Sequence, residues 1–126
     1  EDRYDILRIE VVKVLPQNFD GEDVASLIQD KWRVFECVPS IDGCSVNFTD
    51  PEFVHQGRDA VYYVRAIEQP VPTINGGNLR VDFDSNGHAI KSDMCFGDYR
   101  MDSNDDCLQM ASQRAWSSPI YVDFEE

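Results

Sequence analysis

The chain has 126 residues, 42% of them hydrophobic, enough apolar material to bury one core without external staples. Eleven Lys and Arg stand against 24 Asp and Glu, and the net charge of −13 repels phosphate backbones and anionic lipid headgroups, which excludes nucleic acid and membrane surfaces as expected partners. Apolar runs such as Val11-Val12-Lys13-Val14-Leu15 fall far short of a membrane span, so no membrane insertion is expected, and Glu1 in place of an initiator Met fits a mature form or a piece of a longer protein.

Taken in order, Ile6 to Leu15 is β-branched and apolar, interrupted by Arg8, Glu10 and Lys13 and stopped by Pro16, which predicts a strand. From Asp20 to Trp32 the period changes. Val24, Leu27, Ile28 and Trp32 share one helical stripe that Asp20 or Asp23 can cap, which predicts a helix of about two to three turns. Strands are expected next over Trp32 to Val38 and Ser45 to Phe48. Ala60 to Glu68 is rich in aromatic and β-branched residues on both faces and should be a central strand.

Gln69-Pro70-Val71-Pro72 predicts a break in strand pairing, and Asn75-Gly76-Gly77-Asn78 a turn. Leu79, Val81 and Phe83 then alternate with Arg80, Asp82 and Asp84, the pattern of a sheet with one wet face, and Asn86-Gly87 suits a hairpin tip. A helical turn is expected to start near Asp105 and end before Trp116. In the last strand Ile120, Val122 and Phe124 are expected inward and Tyr121, Asp123 and Glu125 outward. Short strands separated by Gly, Pro and Asn predict an all-β chain: a β-sandwich of roughly six to eight short strands with one or two short helices, in a single domain over residues 1–126.

Cys37, Cys44, Cys95 and Cys107 allow three pairings. Local bridges, Cys37 to Cys44 and Cys95 to Cys107, are expected because each pair flanks a turn-rich stretch with little apolar content of its own. The rival is a four-thiolate zinc site, whose ligands usually come as knuckles with shorter spacing than either pair has. Disulfides imply an extracytoplasmic location, secreted or periplasmic.

The sharpest chemical motif is Asp82-Phe83-Asp84-Ser85-Asn86-Gly87 followed by Asp93. Asp82, Asp84, Asn86 and Asp93 match ligand positions of a calcium loop, in which alternate oxygens converge on a hard cation, and Ca²⁺ is the one cofactor the sequence suggests. The plainer reading, and the expected one, is a wet strand face leading into an ordinary hairpin, with no cofactor. Asp98, Asp102, Asn104, Asp105 and Asp106 form a second acidic cluster, expected as solvated loop. No Gly-x-Ser-x-Gly elbow surrounds Ser117 or Ser118, and His55 and His88 are too few for a His-rich metal centre, so no catalytic residue is assigned. Asn47-Phe48-Thr49 matches a glycosylation sequon.

Three stretches carry a family resemblance. Arg8-Ile9-Glu10-Val11-Val12-Lys13 resembles the strand that opens the tail domain of secreted bacterial proteins of the polymerase-and-histidinol-phosphatase (PHP) family. Asp59-Ala60-Val61-Tyr62-Tyr63-Val64-Arg65-Ala66 and Arg114-Ala115-Trp116-Ser117-Ser118-Pro119-Ile120-Tyr121-Val122 resemble that tail's closing strands. In the family, catalysis belongs to a separate upstream metal-dependent barrel, whose metal motifs this chain lacks. The resemblance implies a noncatalytic C-terminal β-sandwich, an accessory to a phosphoesterase, with the upstream catalytic domain of the same polypeptide as its partner. The alternative function is an extracellular binding module for carbohydrate or protein, calcium-dependent or not, since sandwiches present ligand loops at one end.

Overall fold

The computed structural model describes residues 4–74, 80–93 and 107–125. The chain divides into two compact units, one of Glu1–Gln69 with Gln113–Glu126 and one of Pro70–Ser112. In chain order the elements are β1 (Ile6–Val14), the single turn α1 (Val24–Leu27), β2 (Ile28–Glu36), the single turn α2 (Phe53–Gln56), β3 (Ala60–Glu68), β4 (Val71–Ile74), β5 (Arg80–Phe83), β6 (Ala89–Asp93), β7 (Leu108–Ala111), β8 (Arg114–Trp116) and β9 (Ile120–Val122). The all-β class expected from the sequence holds.

The first unit is an antiparallel sheet in the order β2, β1, β3, with β8 and β9 both paired to the far side of β3. β3 is therefore interior, as its two apolar faces predict. β1 pairs along nearly its whole length with β3, from Val14 opposite Val61 to Ile6 opposite Glu68. Its pairing with β2 shifts between Val11 opposite Arg33 and Lys13 opposite Gln29, where three β2 residues face one residue of β1. Lys31 accommodates this bulge at φ 52°, a left-handed conformation that such irregularities use to bend a strand.

β8 and β9 are one edge strand broken at Ser117 to Pro119. Pro119 has no N–H to offer the ladder, and Ser117 bridges the gap on both sides of the peptide. Its N–H donates to the Val64 carbonyl (3.0 Å), and its Oγ accepts from the Val64 N–H (3.1 Å) while donating to the Ser118 carbonyl (2.9 Å). The Trp-Ser-Ser-Pro string thus has a local physical reason.

One face of this sheet carries the core: Leu15, Leu27, Ala60 and Tyr62 are buried, with Trp32, Phe53 and Val122 packed against them. The layer over that face is loop and helical turn. Phe48 sets its ring on Trp32 and Phe35 at 5.9 and 6.0 Å between centroids, and Phe53 meets Phe124 at 6.1 Å. Gly57 ends α2 at φ 57°, the left-handed turn that brings the chain back into β3.

Among its described residues the second unit holds two ladders, β4 with β7 and β5 with β6, both antiparallel. The β5–β6 hairpin turns through Gly87, the only tip residue at positive φ (81°) among the described residues of the turn.

Several expectations are corrected. The helix expected over Asp20 to Trp32 shrinks to α1: Asp23 caps it through Ala25 N–H (3.1 Å), and Ile28 onward joins β2 because ladder bonds to β1 outweigh a weak helical stripe. Ser45 to Phe48 forms no strand; Phe48 contributes as a single docked ring instead. The pairing break expected over Gln69-Pro70-Val71-Pro72 falls at Gln69-Pro70, after β3 ends, while Val71 and Pro72 already belong to β4: Pro72 lies opposite Met110 in a ladder that is two-stranded among the described residues, where an open edge tolerates a missing N–H. In place of a helical turn before Trp116 stand β7 and β8, with Asp105 and Asp106 outside the described residues. Ile120 is exposed although it lies opposite the buried Tyr62, while Val122 and Phe124 reach the core as expected.

Candidate functional site

Strand alternation puts the charges of β1 on opposite faces of the sheet. Lys13 points with Val11 and Leu15 to the core face, and Glu10 points with Arg8 and Val12 to the other. Both charged residues are buried, Lys13 with no exposed surface and Glu10 at 3%.

On the core face, Lys13 Nζ donates to Asp50 Oδ2 and to Gln56 Oε1, each at 2.5 Å. The same Asp50 oxygen accepts from the Tyr62 hydroxyl at 2.6 Å, and Tyr62 stands directly opposite Lys13 in the ladder. Rings close the remaining sides, with Nζ 5.5 Å from the Trp32 centroid and 5.9 Å from that of Tyr62, distances at which a cation is attracted to an aromatic face. Each element supplies one part. Asp50 opens the turn into α2, its Oδ1 accepting from Glu52 N–H (3.0 Å), and Gln56 ends that turn.

Burial pushes the Asp50 carboxyl up, but the hydrogen bonds from Lys13, Tyr62 and Glu52 N–H outweigh it and hold the group below its usual range. Burial together with the Asp50 charge pushes the Tyr62 phenol well up, so it stays a neutral donor. The result is an amine and a carboxylate in contact and shut away from water.

On the opposite face, Glu10 gathers cations. Its Oε1 accepts from Arg8 Nε (2.8 Å), with Lys31 Nζ at 3.8 Å, and its Oε2 accepts from Arg65 (2.7 Å), which also reaches Asp30 Oδ1 at 2.7 Å. Burial raises the Glu10 carboxyl, and the bond from Arg8 with the charges of Arg65 and Lys31 more than offsets that, so its pKa lies below the usual carboxylate range. Beyond the end of β1, Arg58 pairs with Glu22 (2.8 Å) and donates to the Pro16 carbonyl, tying the β1 exit to the start of β3.

Of the residues singled out in the sequence, Asp84 is committed to its own turn. Its Oδ1 accepts from the N–H groups of Asn86 and His88, both at 2.8 Å, its main chain pairs with His88 and Gly87, and its Oδ2 lies 3.4 Å from His88 Nδ1. Those bonds, the one from His88 N–H first, lower its pKa. Asp82 sits opposite Lys91, and the main chain of Asp93 opposite Arg80. Among the described residues no three His, Cys, Asp or Glu side chains assemble as a metal-holding group. The acidic cluster of Asp98, Asp102, Asn104, Asp105 and Asp106 lies outside the described residues.

Cys37 and Cys44 are bridged, with Cα atoms 5.8 Å apart. Cys107 is not a free thiol, and Cys95 lies outside the described residues. The Cys37–Cys44 bridge closes a loop that holds Val38 and Ile41 in solvent. His55 sits in α2, and Ser117 Oγ accepts from Val64 N–H and donates to the Ser118 carbonyl at the sheet edge. The Lys13 and Glu10 clusters were not anticipated from the sequence. The one signal was charged residues within an otherwise β-branched strand, where a half-exposed edge would have read the same. No helix among the described residues is long and apolar enough to cross a membrane.

Comparison with protein-family models, with curated proteins and with solved structures returns no match.

Proposed function

We propose that the chain is a noncatalytic accessory domain from the C-terminal part of a secreted PHP-like metal-dependent phosphoesterase, acting beside an upstream catalytic domain of the same polypeptide. One observation carries the reading. The three stretches that resemble the family's tail fall on β1, β3 and β8–β9, which are neighbouring strands of one sheet, so the resemblance covers a contiguous structural unit and not scattered strings. The buried ionic clusters support the noncatalytic part, because Lys13, Asp50 and Glu10 spend their charges on partners within the fold and offer nothing to a substrate in solution. The Cys37–Cys44 bridge suits an oxidising compartment.

The test is the coding sequence upstream of Glu1. The reading expects a contiguous domain with His-rich metal motifs, and removal of residues 1–126 from that longer protein should lower its yield or thermal stability while its isolated catalytic domain still turns over phosphoester. An upstream region without a metal-dependent hydrolase would overturn it.

A further inference from the structure

The enclosure around Lys13 holds a nucleophile and an electrophile that the proposed function does not use. We infer that Lys13 and Asp50 condense into an intramolecular amide, an isopeptide cross-link between β1 and the loop that precedes α2. Contact is already made: Nζ lies 2.5 Å from Asp50 Oδ2, with Gln56 fixing the amine and Tyr62 fixing the carboxyl oxygen. Such fixed neighbours react with effective concentrations far above any attainable in solution.

Burial then changes the equilibrium. In water the separate ions resist condensation because hydration stabilises each; here desolvation by itself favours the neutral pair, and the Asp50 carboxylate is held only by its bonds from Lys13, Tyr62 and Glu52 N–H. Here the Lys13 side chain has no exposed surface and the Asp50 side chain 7%, with Trp32 and Tyr62 as apolar walls. The amide removes both buried charges.

The step balances without oxidant or co-reactant. Transfer of one proton from the Lys13 ammonium to Asp50 gives a neutral amine and a neutral acid, and the amine lone pair attacks Asp50 Cγ to form the C–N bond. The C–Oδ2 bond breaks as a second amine proton reaches Oδ2, relayed by the Tyr62 hydroxyl that already donates to that oxygen, and water leaves. One N–H remains on Nζ and keeps its bond to Gln56 Oε1. The sum is ammonium plus carboxylate giving amide plus water.

The test is the mass of the wild-type chain, fully reduced and unfolded. It should be one water below the sequence mass, and a tryptic digest should lack cleavage after Lys13 and contain a branched species joining residues 9–31 to 34–58. Lys13→Arg and Asp50→Ala should regain full mass, and Tyr62→Phe should form the link on the order of a hundredfold more slowly. Full mass with normal cleavage after Lys13 in the aged wild-type protein overturns the proposal. So does a water loss that maps instead to cyclisation of Glu1 or to a succinimide at Asp42-Gly43.

Discussion

Glu10 is a carboxylate surrounded by three cations on the face of the sheet opposite the core, and its removal should be felt through them. Glu10→Gln keeps the shape but leaves Arg8 and Arg65 facing a neutral amide, and should cost about 2 to 3 kcal/mol in urea unfolding, since a charged hydrogen-bonded partner is lost at a buried site. The acid limb follows from the same residue. Its folded pKa lies below the ordinary 4.5, so the stability it contributes is complete above about that value and drains as pH falls through the lowered one. Glu10→Gln should therefore flatten the loss of stability as pH falls below about 4.5 relative to wild type. An unchanged acid limb would remove Glu10 from the account. Asp84 sets the opposite kind of expectation. With Oδ1 already bonded to two turn N–H groups, Asp84→Ala should loosen the hairpin, visible as faster amide exchange at Asn86 and His88. Millimolar calcium should raise the melting temperature no more than magnesium does. Calcium-specific stabilisation lost in Asp84→Ala would revive the metal loop.

At the scale of elements, legibility in the sequence follows how much of each decision is local. β1 and β3 were readable because β-branched and aromatic runs permit little else. β2 was not, because Val24, Leu27, Ile28 and Trp32 fit a helical stripe as well, and only the ladder with β1 decides between them. Pro72 was misread for a related reason: proline forbids an interior strand, and nothing in the neighbouring residues says that β4 has an open edge. The broken edge strand was legible from Ile120 onward but not as a single interrupted strand, since the splice depends on Val64, far away in sequence. Ser117→Ala should remove the acceptor for Val64 N–H and cost about 1 kcal/mol, checked by chemical denaturation, with Ser117→Thr near wild type. Replacing Cys37 and Cys44 by Ser should cost about 2.5 kcal/mol through the freed loop of the unfolded chain.

For the whole molecule, the sequence made the all-β class plain and the chemistry far less so. Asp82, Asp84, Asn86 and Asp93 drew attention because their spacing matches a known loop, whereas Lys13 and Asp50 lie 37 positions apart and meet only through the sheet and the turn before α2. Motifs show local spacing; buried pairs made by topology leave no such trace. What joins the scales is that β1, β3 and β8–β9 form one sheet, on which the reading as an accessory domain rests. The most direct test is to incubate the isolated chain with a generic aryl phosphate and added Mn²⁺ or Zn²⁺. The account predicts no turnover above the metal alone, because no nucleophile or metal-activated water is assigned to its residues. Hydrolysis that copurifies with the chain and disappears on mutation of its own carboxylates would contradict it.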